Sequence, residues 1–313
     1  MAMSKILVLD PLTLMGKELL GCSKRLDNLV GEVDFRHTSD DPEHQLSEMA
    51  GRPGLVPPLE APEDLEGFEA IVVTSDRCTA RHDHLLAHLD ANPDTALVDA
   101  TRIDCLRERT TPSAGSSAPP SSRQVRVAHP AMIATSALVE VLAHFGRFGG
   151  FLVAEDPASI GGQEAVETMA QQARQRIRGA PVEGLIDNQV LAFTMLVAEG
   201  DDLQEEATLL IPEVPLAVTR LLASHFHGHL AHLGLSFSEP LDEGLVREAL
   251  SQASIIEETP LPLRLDSVLD NDRVLMTPPR FSPDRRHLAL TAIADGLRIG
   301  GALTAIDILE SLI

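Results

Sequence analysis

Short apolar runs alternate with helix-spaced apolar positions in the first part of the chain, the pattern of β-α-β units around a mostly parallel sheet. Ile6–Leu9 reads as the first strand, and Leu14, Leu19, Leu20 and Leu26 follow at roughly helical spacing. Between them, Asp10 with Pro11 behind it reads as an N-cap followed by proline at the first helical position. Val30–Phe35, Ala70–Thr74, Ala96–Val98 and Val125–Ala128 read as further strands. Residues 109–124, containing TTPSAGSSAPPSS, have no apolar periodicity and read as a flexible surface loop. His129 and Pro130 mark a turn, and Ala131–Phe145 reads as an apolar helix. Beyond it the regular alternation stops. Phe151–Ala154, Ala217–His227 and Leu230–Phe237 read as strands, and Gln163–Ile177, Leu241–Leu250 and Leu297–Leu312 as helices, which predicts an α+β domain with a broad sheet. The fold class is therefore α/β, with a parallel-sheet domain first and an α+β domain second.

Composition narrows the partners. A chain of 313 residues with 44% apolar content can bury the cores of two medium domains. A formal charge of -22 argues against nucleic acid, whose binding rests on Lys and Arg displacing counterions. Three cysteines, odd in number and unevenly spaced, read as reduced thiols, so a cytoplasmic location is expected. The first apolar run is cut short by Asp10 and Pro11, unlike a secretory leader. No stretch reaches the roughly 18 to 20 apolar residues that span a bilayer, so no membrane partner is expected either. With no Trp or Tyr, the chain lacks the side chains that usually anchor recognition surfaces.

Several ordered segments resemble one family. LVLDPLTLMGKELL occupies the place of a dinucleotide fingerprint, with Asp10 and Thr13 at the first two glycine positions and only Gly16 kept. LVDATR at Leu97–Arg102, VAHPAMIATSALVEVL at Val127–Leu142, and AEDPASIGG with Ser159, Gly161 and Gly162 follow in order. So do FHGHLAHLGLSFSEPLDEGLVREAL at Phe226–Leu250 and DGLRIGGALTAIDILESLI at Asp295–Ile313. Together they resemble the aspartate-semialdehyde dehydrogenase family. That resemblance implies a Rossmann-like domain over 1–130, a dimerisation and substrate-type domain over 131–296, and a C-terminal helix, 297–313, returning to the first. It also implies a homodimer.

The family reaction, as the resemblance implies it, passes through a thioester and needs a thiolate at a helix N-terminus. The alignment puts Met132 at the nucleophile, and a thioether cannot form that intermediate. Cys78 and Cys105 are the remaining thiols that could stand in. His229 falls at the general base. The family's carboxylate-binding Arg, seven residues earlier, corresponds to Leu222, and its phosphate-binding Lys to Thr208 after Glu205 and Glu206. At the cofactor positions Thr13, Gly16 and Gly161, only the glycines match. Asp10 sets a negative charge where phosphates would lie, and Arg36 and His37 are followed by Asp40, Asp41 and Glu43, which disfavours the 2′-phosphate of NADP. No cofactor is expected; NADP or NAD would serve if the chain were active. The pattern of losses resembles that of Usg-like paralogues lacking the catalytic Cys.

Three functions follow from these residues. A non-catalytic dimeric scaffold or regulatory partner is favoured by Met132, Asp10 and Leu222 together. An active NAD(P)-dependent oxidoreductase on an aldehyde or acyl phosphate is favoured by His229. A metal- or small-molecule-binding protein is suggested by His225, His227 and His229, which alternate as if on one strand face, with His232 close by. Against a metal, Gly228 interrupts the strand; His84 and His88, four apart on a helix, read as surface histidines.

Overall fold

A computed structural model describes residues 5–22, 25, 31–39, 45–49, 52–115, 122–184, 189–198 and 202–313. Leu26, Val30, Asp40, Asp41, Glu43 and the loop centre at 116–121 lie outside the described residues. The chain divides into two compact units, Met1–Ala128 with Gly301–Ile313, and His129–Gly300. Among the described residues, no helix is long and apolar enough to cross a membrane.

In the first unit the strands are β1 (Lys5–Leu9), β2 (Glu32–Arg36), β3 (Gln45–Met49), β4 (Arg52–Val56), β5 (Ala70–Val73), β6 (Ala96–Asp99), β7 (Thr111–Ser113) and β8 (Gln124–Val127). Six of them form a parallel sheet in the order β2-β1-β5-β6-β8-β7, while β3 and β4 make a separate hairpin. Every residue of β5 and β6 is buried, as are four of the five in β1, and all but Asp99 at the end of β6 are apolar, as strands covered on both faces require. Leu7, Leu9, Ile71, Val73 and Leu97 pack with Leu85 and Leu89 of α2 (His82–Ala91), which follows α1 (Leu14–Gly21). Each such leucine contributes about 1.5–3 kcal/mol when fully buried.

The stretch expected to be a loop supplies a strand instead. Thr111, Pro112 and Ser113 pair with Val125, Arg126 and Val127 at the sheet edge, where a proline is tolerated. Strand order reverses at β1, whose neighbours are β2 on one side and β5 on the other. The crevice outside the ends of β1 and β5 is thus the switch point at which ligands bind in doubly wound sheets.

The second unit starts at α3 (Pro130–Leu142) and carries β9 (Phe148–Asp156), α4 (Gly162–Ile177), β10 (Met195–Val197), α5 (Asp202–Leu210), β11 (Leu216–Ala223) and β12 (His229–Phe237). It ends with α6 (Glu243–Gln252), β13 (Ile256–Glu258), β14 (Val274–Met276), β15 (Arg280–Phe281) and β16 (His287–Ala294). The mixed sheet runs β10-β11-β9-β12-β16-β14-β13, with β15 added beside β16. On β9 and β12 burial alternates, as it does when a helix layer covers one face only. The other face shows Phe151, Met195 and Val197, each more than half exposed. Phe151 pairs with Gly234, where any Cβ would stand 2.3 Å from the Phe151 ring.

Two sequence expectations are corrected here. The strand read as Ala217–His227 ends at Ala223, and Ser224–Gly228 turns the chain through a left-handed Gly228 at φ +84 before β12 begins. The helix read as Leu297–Leu312 is a π-turn, Arg298–Ala302, running into α7 (Leu303–Leu312).

Candidate functional site

The N-terminus of α3 and the facing ends of β9, β11 and β12 bring four ionisable side chains together. His129 caps α3, its Nδ1 accepting the Ala131 N–H at 3.2 Å, and its own N–H donates to the Glu206 carboxylate on α5. Its Nε2 stands 2.9 Å from Asp156 Oδ1, the last residue of β9. His229, the first residue of β12, has Nε2 3.8 Å from the same oxygen and meets the His129 ring edge-on at 5.4 Å. Arg220 on β11 donates from Nε to Asp156 Oδ2 at 2.5 Å and reaches Asp202 at 3.7 Å. His129 and Asp156 are fully buried and His229 nearly so. Burial favours the neutral acid, yet His129 first, with His229 and Arg220 beyond, holds the Asp156 carboxyl well below the usual carboxylate range. Gly296 makes room for His229, since a Cβ there would stand 2.1 Å from Nδ1.

His129, Asp156 and His229 offer ligand atoms within 4.8 Å of one another, a spacing that a cation could use. The cap on α3 speaks against it. With Nδ1 accepting a backbone N–H, the proton of a neutral His129 ring belongs on Nε2, facing Asp156 rather than a metal. The cluster suits a buried carboxylate bridging a histidine and a guanidinium.

Met132 sits in the first turn of α3, fully buried, and its N–H donates to the His129 carbonyl at 2.7 Å. Leu222 packs on an apolar cluster of Ala158, Met169, Leu191 and Ala192. A guanidinium nevertheless stands on Asp156, from Arg220, two residues before Leu222 on the same strand. Arg220 is not legible in the sequence, because the turn Ser224–Gly228, whose length no local signal fixes, separates it from His229. Glu206, one of the paired acids, is buried against α3, whereas Thr208 is exposed and bonds its own helix at Gln204. His225 and His227 lie in the turn and do not share a strand face with His229, so that metal set is not formed. His225 bonds the Gly228 carbonyl, and His232 bridges Glu155 and Thr291 on the open sheet face. Gly161 precedes α4, where a Cβ would crowd Ala165 at 2.9 Å. His88 is buried, not at the surface.

In the first unit the switch-point crevice is laced with hydroxyl bonds. Thr13, not Asp10, caps α1, accepting from Gly16 N at 3.0 Å while its hydroxyl donates to the Thr74 carbonyl at 2.6 Å. Asp10 takes a left-handed φ of 59 and turns its carboxylate sideways. Thr38 donates to it twice, from N at 2.6 Å and from Oγ1 at 2.5 Å, and Ser75 Oγ donates as well. With the Ser75 hydroxyl proton directed at Asp10, His82 Nε2, 3.1 Å away, donates to Ser75, and His82 Nδ1 accepts the Thr79 N–H at 3.0 Å. Burial keeps His82 below its usual range, consistent with a neutral ring. Gly16 is required by packing, since a Cβ would stand 2.5 Å from Pro11 backbone. His37 is buried beside the crevice, and Arg36 bonds the Phe35 carbonyl.

The fold is that of the aspartate-semialdehyde dehydrogenases. Among solved structures, the chain matches the aspartate-semialdehyde dehydrogenase II of Vibrio cholerae, determined with ASA, at a TM-score of 0.81 and 16% identity, covering 100% of this chain and 98% of that one. It matches a probable aspartate-semialdehyde dehydrogenase of Pseudomonas aeruginosa at 0.79 and 20% identity, covering 98% and 97%. In sequence, it is 29% identical over 174 residues to the USG-1 protein homolog of Azotobacter vinelandii, covering 50% of this chain and 52% of that protein. It is 34% identical over 106 residues to an aspartate-semialdehyde dehydrogenase of Mycolicibacterium smegmatis, covering 33% and 30%. The chain thus spans about half the length of the first of these curated relatives and less of the second. No family model matches it.

Proposed function

We infer that this chain is a non-catalytic relative of the aspartate-semialdehyde dehydrogenases, acting as a homodimeric scaffold or regulatory protein. The observation that carries this reading is the Asp10 carboxylate at the switch point. In doubly wound sheets that place takes dinucleotide phosphates at a helix N-terminus. Here a carboxylate held by three donors from Thr38 and Ser75 lies at the crevice, and a phosphate brought beside it would meet repulsion. Neither NADP nor NAD fits these residues. Met132 adds to the case, because the resemblance places it at the nucleophile and a buried thioether has no proton to lose. The open sheet face around Phe151 supports the homodimer, since an apolar sheet face is covered in most stable proteins.

Titration calorimetry with NADP and NAD tests the reading. No heat at millimolar cofactor is expected, and no NADP reduction with aspartate semialdehyde and phosphate. Binding tighter than roughly 100 µM, about -5.5 kcal/mol, would sink it. One observation favours an active oxidoreductase as the second reading: Arg220 and His229 both flank Asp156, so a cation and a histidine remain in one cluster.

A further inference from the structure

Two of the three cysteines meet in the first unit. Cys78 lies in the loop after β5 and is exposed, whereas Cys105 lies in the loop after β6 and is partly buried against the core. The Cys105 backbone N–H points at the Cys78 sulfur from 3.0 Å. Burial first, then the neighbouring Cys78 and Asp99, push the Cys105 thiol up to about 12. Cys78 is thus the acceptor of the pair and the sulfur that solvent reagents reach. Cys22 is buried at the end of α1.

We propose that Cys78 and Cys105 form a reversible dithiol–disulfide pair whose oxidant is a low-molecular-weight disulfide, with Cys78 the attacking sulfur and Cys105 the resolving one. In the first step the Cys78 thiolate attacks one sulfur of R–S–S–R, forming a mixed disulfide and releasing RS⁻, which takes up the proton Cys78 gave to solvent. Cys105 then loses its proton and attacks Cys78 Sγ, closing the protein disulfide and releasing the second RSH. Two electrons pass from the pair to the reagent, giving two small thiols for one disulfide. The order follows from exposure and placement: Cys78 is the sulfur that a solvent reagent reaches, and partly buried Cys105 stands beside it, its N–H 3.0 Å from Cys78 Sγ. The loop concerned also carries Ser75 and Thr79 of the Asp10 network, so oxidation tethers the wall of the switch-point crevice to the loop after β6.

The test is to expose the folded, full-length protein to oxidised glutathione near neutral pH, quench with acid, alkylate, and map the peptides by mass spectrometry. The expected product has lost two hydrogens, joins the Cys78 and Cys105 peptides, leaves Cys22 alkylated, and reverts fully with dithiothreitol. Cys105→Ser should stop at a glutathione adduct on Cys78. Cys78→Ser should react at least about tenfold more slowly than the wild type, since only less accessible sulfurs remain. Circular dichroism of both variants establishes that they are folded. A folded wild type that retains glutathione on Cys78, links Cys22, cross-links between chains, or consumes no oxidant overturns the proposal.

Discussion

Arg220 and Asp156 meet at 2.5 Å across neighbouring parallel strands, and the carboxylate has no exposed surface while the guanidinium keeps about a fifth of its own. A buried charge held this way stabilises little in net terms, but removing its partner leaves the charge stranded. Arg220→Leu should therefore cost about 3–5 kcal/mol in urea unfolding at neutral pH, reduced toward the lower end because Arg220 is partly solvated. A loss under about 1 kcal/mol would show that the pair does not exist as described.

The same carboxylate sets an acid limit. Its folded-state value lies below the unfolded 3.8, so its contribution is complete above that pH and is lost as pH falls below it. Asp156→Asn should flatten the fall in stability below about pH 4, measured by unfolding at several pH values.

Asp99 works in the opposite direction. Burial, only partly offset by hydrogen bonds from Thr101 and Arg102, raises its carboxyl from 3.8 to about 6. The folded state then binds a proton more tightly than the unfolded one, so stability is full below pH 3.8 and declines as pH rises through about 6. Asp99→Asn keeps the oxygen that accepts from Thr101 and Arg102, and should gain up to about 3 kcal/mol over the wild type at pH 7.5 but little at pH 3.5. Equal differences at both pH values would contradict the raised value.

Gly16→Ala separates packing from phosphate binding. Its Cβ would press on Pro11 backbone at 2.5 Å, and backbone cannot swing aside. The thermal midpoint should fall in the absence of any nucleotide, by a stability loss of about 1–3 kcal/mol. An unchanged midpoint would mean that the turn at Pro11 yields.

The homodimer is checked by light scattering. The wild type should elute at twice 33.7 kDa, and Phe151→Glu, which places a charge on the open sheet face, should shift it toward the monomer. A wild type that is monomeric at micromolar concentration would end that part of the reading.

How much of this could be read from the chain depends on whether the cause was local. Ile6–Leu9, Ala70–Thr74 and Ala96–Val98 were legible because strands buried on both faces leave continuous apolar runs. Asp10 reads as a cap because Asp-Pro is a local cap signature, whereas its partners, Thr38 and Ser75, lie 28 and 65 residues away. The strand reads on to His227 because alternating His and Phe mimic the period of a strand, and Gly228 is the local sign of the turn. Arg220 stayed hidden behind that same turn, and Glu206 behind a helix whose N-terminal partner sits 77 residues earlier. Cys78 and Cys105, 27 residues apart, are brought together by two loops at the same end of the sheet.

Both edge strands of the first sheet carry deterrents to stacking. At one edge, Pro112 has no N–H to offer an incoming strand; at the other, β2 presents Glu32, Asp34 and Arg36, with Lys5 from the neighbouring strand pairing the two acids. An edge that cannot complete a ladder, or that repels its own copy, resists the strand-to-strand association behind fibrils. The run from Thr111 to Ser113 thus guards the monomeric sheet against becoming a seed for aggregation.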